Sequence, residues 1–178
     1  LAGRQLEDDI ELRQLEPFYR VRFDDGDHFD YSGDPLKMRS EVLRIDPNAG
    51  PGYDAFLKEA DRCYELGFEN LGAHAFDSMR DMLMALPSMS RMKGWRTLYA
   101  LVAQHIHHPK LRQVMSLQSL LIGGNPFSVT CVYSLINALE RRYGVHWAMG
   151  GTGALVSGMV GLIEHMGGGV RTNAQVQR

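Results

Sequence analysis

The sequence predicts an α+β fold, on three observations. Residues 19–31 carry the alternation and acidic-glycine turn of a β-hairpin. Residues 34–46, 53–71 and 78–92 carry apolar side chains at spacings of three and four, the period of helices. Residues 119–159 arrange two glycine-punctuated turns around one long apolar helix.

In chain order, residues 4–12 read as the end of a helix, and Leu15 to Phe23 as a strand with Tyr19, Val21 and Phe23 on one face. Asp24, Asp25 and Gly26 supply the turn, and His28 to Tyr31 return as the second strand. Asp34 with Pro35 starts a helix that stops at Asp46-Pro47. Gly50, Pro51 and Gly52 break the chain before an amphipathic helix from Tyr53 to Leu71, and residues 72–75 make a short connection. Met79, Met82, Leu83 and Leu86 form a stripe on a helix that Pro87 ends or kinks. Trp95, Leu98, Tyr99 and Val102 continue an apolar helix, and a further one runs from Lys110 to Leu121.

Gly123 and Gly124 stop that helix, Asn125 caps the next, and Pro126 takes its first position. It is expected to run to Tyr143 and close at Gly144. Val145, Trp147 and Met149 alternate with His146 and Ala148 as a short strand. The turn Gly150, Gly151, Thr152, Gly153 then opens a helix from Ala154 to Met166, with Thr152 as its N-cap, and Val170, Thr172 and Ala174 alternate as a last strand. A strand, glycine turn and helix leave free backbone N–H groups at a positive dipole end. The turn either holds an anion or flat ligand there, or only permits close helix packing.

The chain has 178 residues, 44% hydrophobic and 22% charged, which describes an ordinary globular protein whose size makes one domain the default. Its first residues, LAGRQLEDDI, form neither a basic nor an apolar leader, so no signal peptide is expected, and a start within a helix suits a truncated chain. Cys63 and Cys131 lack metal spacing, which points to a reducing, cytosolic setting rather than a disulfide scaffold.

Charge is unevenly spread. Residues 1–81 hold 19 acidic and 10 basic side chains, whereas residues 82–178 hold 9 basic ones against Glu140 and Glu164 alone. An apolar, basic second half suits an anionic lipid surface, and it equally suits a buried back half behind a polar front. Six of the ten methionines lie between 79 and 115, as either an adaptable ligand lining or plain core. No apolar run approaches the ~20 residues of a spanning helix, so peripheral attachment is the membrane mode to expect. The segment HIHHP at 105–109 lacks a carboxylate or cysteine at ligand spacing and is expected in a loop, not at a metal. Nucleic acid is not an expected partner.

Five ordered blocks carry a resemblance: PFYRVRF at 17–23, FDSMRDML at 76–83, LLIGGNPF at 120–127, YSLINALERRYGV at 133–145 and GGTGALVSGM at 150–159. Together they resemble the bacterial phytoene desaturases, flavin-dependent carotenoid desaturases, nearly end to end. The chain lacks that family's N-terminal GxGxxG fingerprint and its C-terminal flavin-binding segment, so it looks like an internal piece of a longer enzyme, expected to bind FAD poorly and to be inactive alone. The resemblance implies an amine-oxidase-like flavoprotein fold. Within it, residues 1–49 form a substrate-side hairpin and helix, 50–143 a helical substrate- or membrane-facing region, and 144–178 the return to the flavin domain. It implies Gly150, Gly151, Thr152 and Gly153 on the cofactor side, with Asn125, Pro126 and Phe127 on the substrate side.

Inserting a double bond removes a hydride and a proton from adjacent carbons. No common side chain accepts hydride, so FAD is the expected acceptor. The protein must add a dry apolar tunnel and one group that takes the proton or steadies a cationic intermediate. Asp81, beside Arg80 in a methionine-lined helix, is the candidate, where the family's FRDML reads MRDML at Met79 to Leu83. The other reading places Asp81 in an ion pair with Arg80 or Arg91. No Ser/His/Asp or Cys/His order and no phosphate loop supports a hydrolase or nucleotidase. The expected function is FAD-dependent desaturation of phytoene toward lycopene, on phytoene and partly desaturated carotenoids, in the cytoplasm at the inner membrane surface. The rivals are a related carotenoid oxidase or isomerase, and a lipophilic-ligand or membrane-surface module without turnover.

Overall fold

The computed structural model describes residues 3–69, 72 and 77–176. Its elements are β1 (Leu12–Gln14), β2 (Tyr19–Arg22), β3 (His28–Tyr31), α1 (Pro35–Ile45), α2 (Gly50–Cys63), α3 (Met79–Arg91), α4 (Leu98–His105), α5 (Pro109–Ser116), α6 (Leu135–Tyr143), β4 (His146–Ala148) and α7 (Thr152–His165). Helix and sheet are thus mixed, as expected. They form two compact units, one built from Glu16–Gly144 and one from Leu1–Leu15 with Val145–Arg178.

In the first unit β2 and β3 pair as the expected hairpin, with Tyr19 opposite Tyr31 and Val21 opposite Phe29. The Asp34 side chain caps α1, accepting from Leu36 N at 2.8 Å and Lys37 N at 3.3 Å. On α2 the stripe Tyr53, Phe56, Ala60 and Cys63 is buried, and this helix packs against α4 and α6. Contact with α4 is close: a Cβ on Gly52 would stand 2.0 Å from the His105 carbonyl oxygen. Leu98, Val102, Leu111, Val114 and Met115 complete the core.

Several expected boundaries move. The second helix begins at Gly50, because Pro51 fits a first helical turn, and beyond Cys63 it widens into a π-helical stretch, Tyr64–Glu69. Of the connection expected at 72–75, all but residue 72 lies outside the described residues, as do 70 and 71. Pro87 sits inside α3 without ending it. Solvent can meet the carbonyl its ring leaves unbonded on so exposed a helix. The methionine stripe faces outward, with Met79 72% and Leu83 61% exposed and only Ala85 buried, so it is not core. Trp95 precedes α4 and is exposed. The expected helix from Lys110 is α5 followed by a 3-10 stretch, Leu117–Ile122, which Gly123 stops in the left-handed conformation (φ 66°).

Residues 126–130 are not helical. Their carbonyls are drawn into the start of α4: Leu98 N donates to Val129 O and Tyr99 N to Pro126 O, both at 3.0 Å, beside a Thr97–Thr130 bridge. Asn125 therefore caps a turn, its Oδ1 accepting from Phe127 N at 2.9 Å, and α6 starts only at Leu135, after a 3-10 turn at Cys131–Ser134.

In the second unit β1 pairs antiparallel with β4, Arg13 opposite Trp147. Residues 4–12 are thus a 3-10 turn, Leu6–Asp8, leading to a strand, rather than a helix. Gly151, not Thr152, is the N-cap of α7, and Thr152 is its first residue. Residues 170–174 are irregular and exposed, where a strand was expected.

Candidate functional site

Strand alternation puts Tyr19 and Val21 on one face of β2. Across from them the 3-10 stretch presents Leu117, Leu120 and Leu121. Between the two lies a cleft of about 440 Å³, lined by these residues with Arg20 and Gln118. Its walls are mostly apolar, with a few convergent polar groups, the composition of a site for a lipophilic ligand.

Behind the cleft sits a buried polar cluster. The Tyr19 ring stacks on Tyr31 at 4.7 Å. The Tyr19 hydroxyl donates to Glu140 Oε2 at 3.3 Å, and Gln118 Nε2 lies 3.0 Å from the Tyr31 hydroxyl and 3.5 Å from Glu140 Oε2. Asn137, one turn before Glu140 on α6, also donates to the Tyr31 hydroxyl. Glu140 is only 7% exposed, and burial pushes its carboxyl up to about 7 against the stabilising bonds from Gln118 and Tyr19. Burial and the nearby Glu140 charge push the Tyr19 phenol well above its ordinary range. Near neutral pH the pair therefore consists of a neutral phenol and a carboxyl close to its own midpoint.

The residues singled out from sequence lie elsewhere. Asp81 occupies the first turn of α3, in a capping box: Asp81 N donates to Ser78 Oγ at 3.2 Å, and Ser78 N and Oγ donate to Asp81 Oδ2 at 3.1 and 2.6 Å. Arg80 beside it is exposed, and among the described residues Asp81 makes no ion pair. Asn125 and Phe127 are exposed, Pro126 is half-buried, and the Phe127 ring lies 4.3 Å from that of Tyr99. None of these lines the cleft. Tyr19, Gln118 and Glu140 escaped sequence reasoning. The one available signal was that Glu140 is one of two acids after residue 81 and falls in an apolar helix.

Gly150 (φ 87°) and Gly151 (φ 76°) turn the chain into α7 with backbone angles that favour glycine. No side chain caps this 14-residue helix, and the space where Cβ atoms of Gly151 and Gly153 would sit is open. Gly151 N donates to Ala148 O at 2.8 Å and Ala154 N to Gly151 O at 3.1 Å, so the N–H groups of Thr152 and Gly153 are the ones left at this positive helix end, an arrangement that suits an anionic group.

No protein-family model matches the chain. It is 42% identical to a lycopene-forming phytoene desaturase of Pantoea ananas, over 99% of this chain and 36% of that protein. With a neurosporene-forming phytoene desaturase of Cereibacter sphaeroides it shares 38% identity over 98% of this chain and 34% of that protein. A carotenoid 3,4-desaturase of Haloarcula japonica is 30% identical over 98% of this chain and 36% of that protein. Along essentially its whole length the chain is therefore homologous to the phytoene desaturases, of whose length it spans about a third.

Proposed function

We propose that the chain is part of an FAD-dependent phytoene desaturase of amine-oxidase-like fold, which dehydrogenates phytoene stepwise toward lycopene. One observation carries this: homology to phytoene desaturases that runs through the whole chain rather than through one motif. The relatives' names include lycopene- and neurosporene-forming enzymes and a carotenoid 3,4-desaturase, so a related carotenoid oxidation on the same scaffold is the second reading.

When bound, FAD supplies the hydride acceptor that side chains cannot provide. Gly150, Gly151, Thr152 and Gly153 are the residues proposed on its side, Gly150 and Gly151 by shaping the turn and Thr152 and Gly153 by N–H groups at the start of α7. The cleft between β2 and residues 117–122 offers a hydrocarbon chain an apolar wall along which to lie and be oriented. Asn125, Pro126 and Phe127 remain substrate-side candidates. Asp81, with Arg80 beside it, remains the candidate for steadying a cationic intermediate, from the first turn of α3 and not from the lining of this cleft. Because only about a third of a desaturase is present, the chain alone is expected to bind FAD poorly and to be inactive.

We also propose that the enzyme sits peripherally on the cytoplasmic face of the inner membrane. Among the described residues no helix is long and apolar enough to cross a membrane. The outward Met79, Met82, Leu83 and Leu86 on α3, with exposed Trp95 near Arg91 and Lys93, support a surface helix with its basic residues at the headgroups. The test is turnover of phytoene in liposomes by the full-length protein with and without FAD. FAD-dependent appearance of conjugated double bonds is expected. Binding of phytoene without any FAD-dependent change in its spectrum would support the non-catalytic module instead.

A further inference from the structure

Removing the proton from a hydrocarbon cation at one chosen carbon calls for a base positioned beside the chain. We propose that Tyr19 and Glu140 are the proton-accepting pair for a linear isoprenoid chain seated in the cleft between β2 and residues 117–122, an inference that rests on the desaturase function proposed above. Val21, Leu117, Leu120 and Leu121 offer the chain an apolar wall, and Tyr19, Gln118 and Arg20 are the polar residues that line it, the Arg20 guanidinium being held by Asp30. Tyr19 and Gln118 both hydrogen-bond the same carboxyl oxygen, Glu140 Oε2. Tyr19 thus links the cleft to a buried acid.

In the step, the C–H bond adjacent to the carbon that has lost its hydride breaks, and its electron pair forms the new C=C bond. The proton passes to the phenol oxygen while the phenol's own proton passes to Glu140 Oε2. The phenol ends neutral and the carboxylate ends as the acid. The hydride and its two electrons have left to the flavin-class oxidant already named. A relay suits these residues better than a free phenolate, because burial and Glu140 hold the Tyr19 phenol protonated, whereas Glu140 titrates at about 7.

The surroundings keep it there. Glu140 is faced by Tyr19 of β2, Tyr31 of β3 and Gln118, with Asn137 and Arg141 on its own helix. Arg141 bonds Asp61 of α2 at 2.7 Å, and among the described residues no basic side chain forms an ion pair with Glu140. Gln118 Oε1 and Asn137 Oδ1 are buried without a hydrogen-bond partner, so the cluster holds acceptors that a protonated Glu140 or a reoriented amide can satisfy.

The experiment uses the full-length enzyme with FAD and phytoene in liposomes, as wild type, Glu140→Gln, Glu140→Asp and Tyr19→Phe. It reads phytoene bound, turnover against pH, and the infrared carboxyl band of the substrate-free protein. Wild type is expected to lose rate below pH of about 7 and to show a carboxyl band titrating there, absent from Glu140→Gln. Both Glu140→Gln and Tyr19→Phe should bind phytoene normally yet turn over at least about a hundredfold more slowly, with partial recovery in Glu140→Asp. An unchanged rate and pH profile in Glu140→Gln overturns the pair, as does loss of phytoene binding in step with the rate, which marks a structural role. Should Glu140→Gln not fold, Tyr19→Phe decides: full turnover without the hydroxyl overturns the relay. A wild-type enzyme that binds phytoene but never desaturates it removes both the desaturase function and the pair, whereas an active wild type with equally active variants removes the pair alone.

Discussion

The Tyr19 hydroxyl donates to Glu140 Oε2 at 3.3 Å, joining a hairpin strand to a helix 121 residues later. This bond and that from Gln118 do not offset the cost of burying the carboxylate, so Glu140 is raised from 4.5 to about 7. The folded state then binds more protons than the unfolded chain between those values. Its contribution is fully present below pH of about 4.5 and is lost as pH rises through about 7. At about 1.4 kcal/mol per unit the loss reaches at most ~3.5 kcal/mol. Denaturant unfolding of wild type and Glu140→Gln should therefore diverge in favour of the variant from pH 5 to pH 8. Parallel curves would show that Glu140 ionises freely.

Gly52 is set where α2 meets the end of α4. With the His105 carbonyl oxygen 2.0 Å from any Cβ there, Gly52→Ala must force the helices apart. Despite alanine's better helix propensity, a loss of about 1–3 kcal/mol is expected, the range for overpacking. Thermal unfolding measures it; a variant as stable as wild type would mean the α2–α4 contact yields without strain.

Structure and chemistry separate at α3. Ser78→Ala removes the cap that holds Asp81 N, which should cost about 1 kcal/mol of stability while leaving turnover near wild type. Asp81→Asn keeps the shape of the side chain but removes the charge proposed to steady the substrate. A fall in turnover of about a hundredfold with FAD still bound is expected of Asp81→Asn. If instead both variants lose only stability, Asp81 is a capping residue and no more.

The outward face of α3 should matter to the membrane and little to the fold. Met82→Glu and Leu83→Glu together are expected to lower sedimentation with anionic liposomes several-fold, while each changes stability by less than about 0.5 kcal/mol, as exposed sites usually do. Binding that is untouched by these charges would move the lipid contact elsewhere.

The hairpin, the Asp34 cap of α1, the Gly123 stop and the glycine turn before α7 were legible in the sequence, since each depends on residues adjacent in the chain. Homology was legible as well, because ordered blocks survive where single motifs discriminate poorly. Helical period revealed that Met79, Met82, Leu83 and Leu86 share a face, but period does not say what covers it, and tertiary structure left it bare. Residues 126–130 have a helical pattern, yet their carbonyls bond the start of α4 instead. Residues 12–14 became a strand only because β4 lies beside them. The cleft and its acid belong to the same class: Tyr19, Gln118 and Glu140 are 99 and 121 residues apart along the chain from the first of them, and no local preference brings them together. Local chemistry determined which turns and caps form. Long-range packing, by choosing which backbone and side-chain groups leave water, decided where a carboxyl is buried and therefore where a proton can be taken.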